Sequence, residues 1–120
     1  MESTQNEAES ARRKLAGLSG SARRLLDYVA LLDDTALQEG GARYAVLRHM
    51  ARASEEDMVE DLREVVEAGV VAVLDGQPNV YRFTDEAARQ IVMDEIGEAR
   101  LPKLLAKANI ARRRVTGDAR

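Results

Sequence analysis

The sequence predicts one mainly α-helical domain that carries a single small β-hairpin as a wing. Apolar residues recur at helical spacing along most of the 120 residues. The period drops to two only around residues 70–83, where the residues are β-branched or aromatic. Apolar residues make up 45% of the chain, enough for one core, and the length is that of one domain.

Residues 1–17 form a polar N-terminal segment. The first ten are mixed in charge and lack periodicity, so they read as a partly disordered end, with a short helical run expected from about Ala8 to Gly17. Ser19 and Ser21 are both candidate caps for the next helix, in which Leu25, Leu26, Val29 and Leu32 share a face. Asp33 and Asp34 end that pattern. Residues 33–43 read as a loop, with Gly40 and Gly41 as its strongest breaker. A shorter helix then places Tyr44, Leu47, Met50 and Ala51 on one side.

The next helix is the most clearly written. Ser54 is an N-cap, with Asp57 three residues on in the manner of a capping box. Glu55 and Glu56 fall in the first turn, where the helix dipole favours anions. Met58, Leu62, Val65 and Val66 form the expected inward stripe, and Gly69 is a terminator able to adopt a left-handed conformation. Residues 70–74 and 80–83 then read as strands around the turn formers of 75–79. Tyr81 and Phe83 share one strand face and Arg82 takes the other. Thr84 is the expected cap of a helix packed through Ala88, Ile91, Val92 and Ile96, which Gly97 interrupts. Pro102 suits the first turn of a last helix whose apolar face is Leu101, Leu104, Leu105 and Ala108. That face either packs within the chain or forms a homodimer seam. The order helix, helix, helix, hairpin, helix is that of a winged helix-turn-helix over residues 18–97, followed at 98–120 by a C-terminal helix and basic tail.

Catalysis finds little here. With no cysteine and a single histidine, disulfides, Cys/His metal clusters and Cys/His nucleophilic pairs are excluded. His49 reads as a surface or core-edge residue. No Gly-rich phosphate loop with a following Lys-Ser/Thr occurs, so no nucleotide site, cofactor or metal is expected and the chain reads as a non-enzyme. No apolar run spans a membrane and the start lacks a secretory pattern, which points to a cytoplasmic location.

The net charge of −3 conceals an uneven distribution: +2 over residues 1–24, −11 over 25–98 and +6 over 99–120. A helix-turn-helix reads DNA by laying its recognition helix in the major groove. Here residues 54–68 carry seven acids against Arg63 alone, which repels phosphates. The contact face expected from this is Glu56, Glu60, Asp61, Glu64 and Glu67, facing a protein partner with a basic surface or a second copy of the chain. The competing reading is a small dimeric DNA-binding regulator that uses its basic ends, Arg12, Arg13 and Lys14 with Arg112, Arg113 and Arg114. DNA is the disfavoured partner of the two.

Three stretches carry a resemblance. Residues 15–32 (LAGLSGSARRLLDYVALL), residues 54–71 (SEEDMVEDLREVVEAGVV) and residues 81–84 (YRFT) resemble the opening, the third helix and the second wing strand of the winged-helix domain in STAND signal-transduction ATPases. The likeness is greatest to large LuxR-type transcriptional regulators. It implies a winged helix that packs against a nucleotide-binding domain and helps switch the protein between closed and assembled states. That family commonly places a nucleotide-sensing histidine where this chain has Asp85, so that role does not carry over. The loop at 33–43 is longer than the family's, and the 120 residues contain no ATPase domain. The function expected is therefore a non-catalytic module for protein–protein interaction in transcriptional regulation or signalling.

Overall fold

The computed structural model describes residues 2–32, 42–73 and 79–118, with side chains described between 7 and 115 within those ranges. The fold is mainly helical, with a three-stranded antiparallel sheet. In chain order the elements are α1 (Glu2–Ala16), α2 (Gly20–Leu32), β1 (Ala42–Arg43), α3 (Tyr44–Ala51), α4 (Glu55–Glu67), β2 (Val71–Val73), β3 (Val80–Phe83) and α5 (Glu86–Asp118).

Helix α2 is the axis of the core. Leu25, Leu26 and every residue from there to Leu32 are buried, and the helix packs against α3, α4, α5 and the sheet. Ser19 is its cap, its Oγ accepting from the Ala22 amide at 3.3 Å. Around it close Val46, Leu47 and Met50 of α3, Met58, Leu62 and Val65 of α4, and Ala88, Val92 and Ile96 of α5. Among the described residues of helix α1, Ala11 and Leu15 are buried, and the helix lies on α5, whose Ala108 and Ala111 are fully buried. The apolar face of the last helix, with Leu101, Leu104 and Leu105 half-buried, is thus covered from within the chain.

Helix α4 starts and stops as its residues dictate. The Asp57 amide donates to Ser54 Oγ at 3.2 Å. At the other end Gly69, at φ 79°, donates to the Val66 carbonyl while Val70 reaches back to Val65. These two bonds satisfy carbonyls the last turn leaves open. Strand β3 is central in the sheet, pairing Tyr81 with both Ala42 and Val73.

Four expectations are corrected. Helix α1 begins at Glu2, not near Ala8; Glu2 in the first turn suits a helix N-terminus, and the polar composition conceals a helix there. Ala42 and Arg43, assigned to a loop, form an edge strand on β3, too short to show alternation. Thr84 does not cap α5: Asp85 Oδ1 accepts from the Ala88 amide at 3.2 Å, while the Thr84 hydroxyl donates to the Gly69 carbonyl at 2.6 Å and ties the sheet to the end of α4. Val66, expected inward, is 38% exposed, because α4 turns Leu62 and Val65 to the core and leaves it at the rim. Residues 33–41 of the expected loop, Leu74 of the expected strand and residues 75–78 of the expected turn lie outside the described residues.

Gly97 divides α5. Its φ of 71° and ψ of 171° are open to glycine alone, and the helix resumes beyond it, with Pro102 near the start of the second half. The bend is held by charge. Asp27, whose side chain is 10% exposed, receives Arg23 Nη1 at 3.3 Å and Arg100 Nη2 at 3.0 Å, and Arg23 also pairs with Glu95. Glu95 and Arg100 stand on opposite sides of Gly97, so one carboxylate and one guanidinium of α2 fasten both halves of α5. Asp27→Asn is expected to lower the urea unfolding midpoint by the equivalent of about 1–2 kcal/mol with no change in slope, the lower part of the range because Arg100 is half exposed. Glu98→Gln, on the exposed side of the same bend, is expected to stay within about 0.5 kcal/mol.

Candidate functional site

The acids of α4 divide into two sets. Asp61 and Glu64, three residues apart and on one side of the helix, face the start of α2. Glu64 accepts from the Ser19 amide at 2.5 Å and from the Ser19 hydroxyl at 2.9 Å, and Asp61 accepts from the Ser21 hydroxyl at 2.8 Å. A helix N-terminus presents unpaired amides and the positive end of its dipole, so two carboxylates there are stabilising. These two members of the expected contact face therefore hold α2 on α4.

Glu56, Glu60 and Glu67 are exposed, together with Glu55 and Arg63. Two valines sit among them: Val59 is 44% exposed and Val66 38%. Seven residues apart, they lie on nearly the same line of the helix, about 10 Å along its axis. The outer face of α4 thus carries a short apolar stripe at its rim, with Glu55 on one side and Arg63, Glu56, Glu60 and Glu67 on the other. The acids were legible in the sequence; the valines were not, because helical spacing alone does not say where the buried sector ends.

The basic segments are likewise sorted. Lys14 is half-buried and lies over Gly69, where a Cβ on that glycine would come within 3.8 Å of its Nζ, so its charge stands at the negative end of α4. Arg12 and Arg13 are exposed on α1, and Arg113 and Arg114 on α5; Arg112 is half-buried. Because α1 packs on α5, both basic runs belong to one packed helix pair.

A third surface was not anticipated. Between α3 and the second half of α5 runs an open groove of about 870 Å³. Tyr44, Ala45, Ala53, Ile110 and Val115 line it with apolar surface, and Arg48, Arg52, His49 and Arg114 edge it. Ile110 is 50% exposed. Arg48 is anchored by a long contact from its Nε to the Ala53 carbonyl, at 3.5 Å. Arg52 ends α3 in the left-handed conformation (φ 52°, ψ 38°), donating its amide to the Arg48 carbonyl. Glycine or asparagine fills such a position with less strain. Of these residues Arg114 is a candidate contact from the sequence, while Tyr44 is expected on the packed side of its helix and His49 reads as a surface or core-edge residue; nothing in the sequence brings the two distant segments together.

Burial raises the Tyr81 phenol above its usual 10.0 by desolvating the phenolate, and the neighbouring Tyr44 phenol adds to the shift. Among the described residues no group of three or more His, Asp or Glu side chains gathers in a way that holds a metal ion, and no helix is long and apolar enough to cross a membrane. No protein-family model, curated protein or solved structure matches the chain, so the site is read from its own chemistry.

Glu64→Ala is expected to lose about 1–2 kcal/mol of stability in urea unfolding, having left the start of α2 without its acceptor, whereas Glu60→Ala stays within about 0.5 kcal/mol. In an alkaline titration followed by tyrosinate absorbance, the component that Tyr81→Phe removes is expected to titrate above pH 10.0. The folded phenol is the weaker acid, so above pH 10.0 the unfolded chain loses its proton first. Stability is then full below that pH and declines as pH rises through the folded value, less steeply in Tyr81→Phe.

Proposed function

We propose that this chain is a non-catalytic winged helix-turn-helix module that mediates protein–protein interaction in transcriptional regulation or signalling through the outer face of α4. The winged-helix reading is supported by the element order, in which α2, α3 and α4, preceded by the additional helix α1, lead into the antiparallel pair β2–β3, and α5 follows. One observation carries the functional reading. The solvent face of α4 combines Glu55, Glu56, Glu60 and Glu67 with the exposed Val59 and Val66, against Arg63 as the one cation there. Carboxylates repel phosphates, and exposed valines gain nothing from a charged nucleic-acid backbone. Both suit a protein surface with an apolar centre and a basic rim.

The alternative is a dimeric DNA-binding regulator. The exposure of Arg12, Arg13, Arg113 and Arg114 on one helix pair favours it, but that arm works without a groove-reading helix of compatible charge. Two measurements separate the readings. Proteins captured from the source cell extract by the wild-type chain are expected to be lost with the E56K/E60K/E67K variant, while fluorescence anisotropy with random duplex DNA shows no binding at physiological salt. Micromolar, salt-steep duplex binding that disappears on deleting residues 112–120 overturns the proposal, as does an identical set of captured proteins for the two chains.

A further inference from the structure

We infer that the groove between α3 and α5 receives the outer face of α4 from a second copy, so that the chain associates head to tail with itself. This rests on the reading of that α4 face as an interface, and it names the partner.

The two surfaces match in three respects. In charge, the face presents Glu56, Glu60 and Glu67, and the groove presents Arg48, Arg52 and Arg114 beside His49. In apolar surface, Val59 and Val66 form a stripe beside the acids, and Ile110, Tyr44 and Val115 line the groove together with its cations. In form, the face is a convex helix with two anchors about 10 Å apart, and the groove is an open channel between two helices, the shape into which an amphipathic helix lays its apolar side. Arg63 is the one mismatch on the face.

Arg52 supplies an independent sign. A left-handed helix terminus is the place where a protein ordinarily uses glycine, and this one keeps an arginine there despite the strain. The left-handed turn carries the Arg52 side chain to the groove edge. Strain held by a side chain at the rim of an open groove is what a binding role for that side chain leaves behind. The contact joins different surfaces of the two copies, so it either closes reciprocally in a dimer or continues into larger assemblies. Being charge-paired at its rim, it weakens with salt.

The test is sedimentation velocity of the full chain from micromolar to millimolar concentration at low and high salt. The wild-type mass is expected to rise with concentration, and to rise less at high salt. Two variants, E56K/E60K/E67K on the face and R48E/R114E in the groove, are each expected to associate roughly tenfold more weakly or not at all. Their equimolar mixture is expected to regain association, because it contains one intact face and one intact groove, and the reversed face and reversed groove are of opposite charge as well. Arg52→Gly relieves the strained turn, so it is expected to melt no lower than wild type while associating more weakly, which separates binding from folding. A wild-type chain that stays monomeric at millimolar concentration overturns the inference, and so does a mixture that remains monomeric while wild type associates. Neither result touches capture of other proteins by the α4 face, which the extract experiment reads separately.

Discussion

Asp27 is the buried charge on which the arrangement of helices depends. Helix α2 is enclosed over most of its circumference, and a carboxylate inside such a helix is tolerated only with cationic partners close by. Arg23 and Arg100 supply them, and because Arg100 lies beyond Gly97 the same pairing sets where the second half of α5 must run. That direction decides much else. It lays Leu101, Leu104 and Leu105 against the core, brings Ala108 and Ala111 to α1, and leaves Ile110 and Arg114 standing beside α3. Lys107 adds a contact to the same helix, donating to the Tyr28 hydroxyl at 3.2 Å and lying 5.0 Å from its ring centroid.

Charge has several jobs in a chain this small, and neighbourhood assigns them. Asp27 holds a bend, Asp61 and Glu64 hold a helix end, and Asp85 caps the start of α5. Glu56, Glu60 and Glu67 have the same chemistry but face solvent. The cations divide in the same way, with Arg23 and Lys14 serving the fold while Arg52 and Arg114 edge a groove. The −11 of the central region is therefore not one surface. Among the described residues, part of it is consumed internally, and another part, Glu55, Glu56, Glu60 and Glu67, stands exposed on α4 beside two valines.

A helix with an acidic, partly apolar outer face and a groove with a basic, partly apolar lining are two halves of one kind of contact. Helix α4 owes its exposed face to the way it packs: Met58, Leu62 and Val65 bury one side, Asp61 and Glu64 engage α2, and Glu56, Val59, Glu60, Arg63, Val66 and Glu67 remain exposed. The groove owes its existence to the bend at Gly97 and to the length of α5, which carries the chain past the end of the core it serves.

The order of the major elements, the caps at Ser54 and Gly69, the break at Gly97 and the acidity of α4 were legible from residue type and spacing, because each is set by interactions within a few residues. Helical periodicity and strand alternation report only on neighbours in sequence, so the mainly helical class with its small sheet follows from them. What they do not contain is partnership between distant segments. Glu64 with Ser19, Arg100 with Asp27, Thr84 with Gly69, β1 on β3, and the meeting of Tyr44 with Ile110 and Arg114 were decided only in three dimensions. The sequence by itself determined how much charge of each sign the chain holds and along which stretches. Tertiary packing decided which of those charges are neutralised inside the fold and which are left for a partner, because neutralisation acts over a few ångströms of space and not over a few residues of chain.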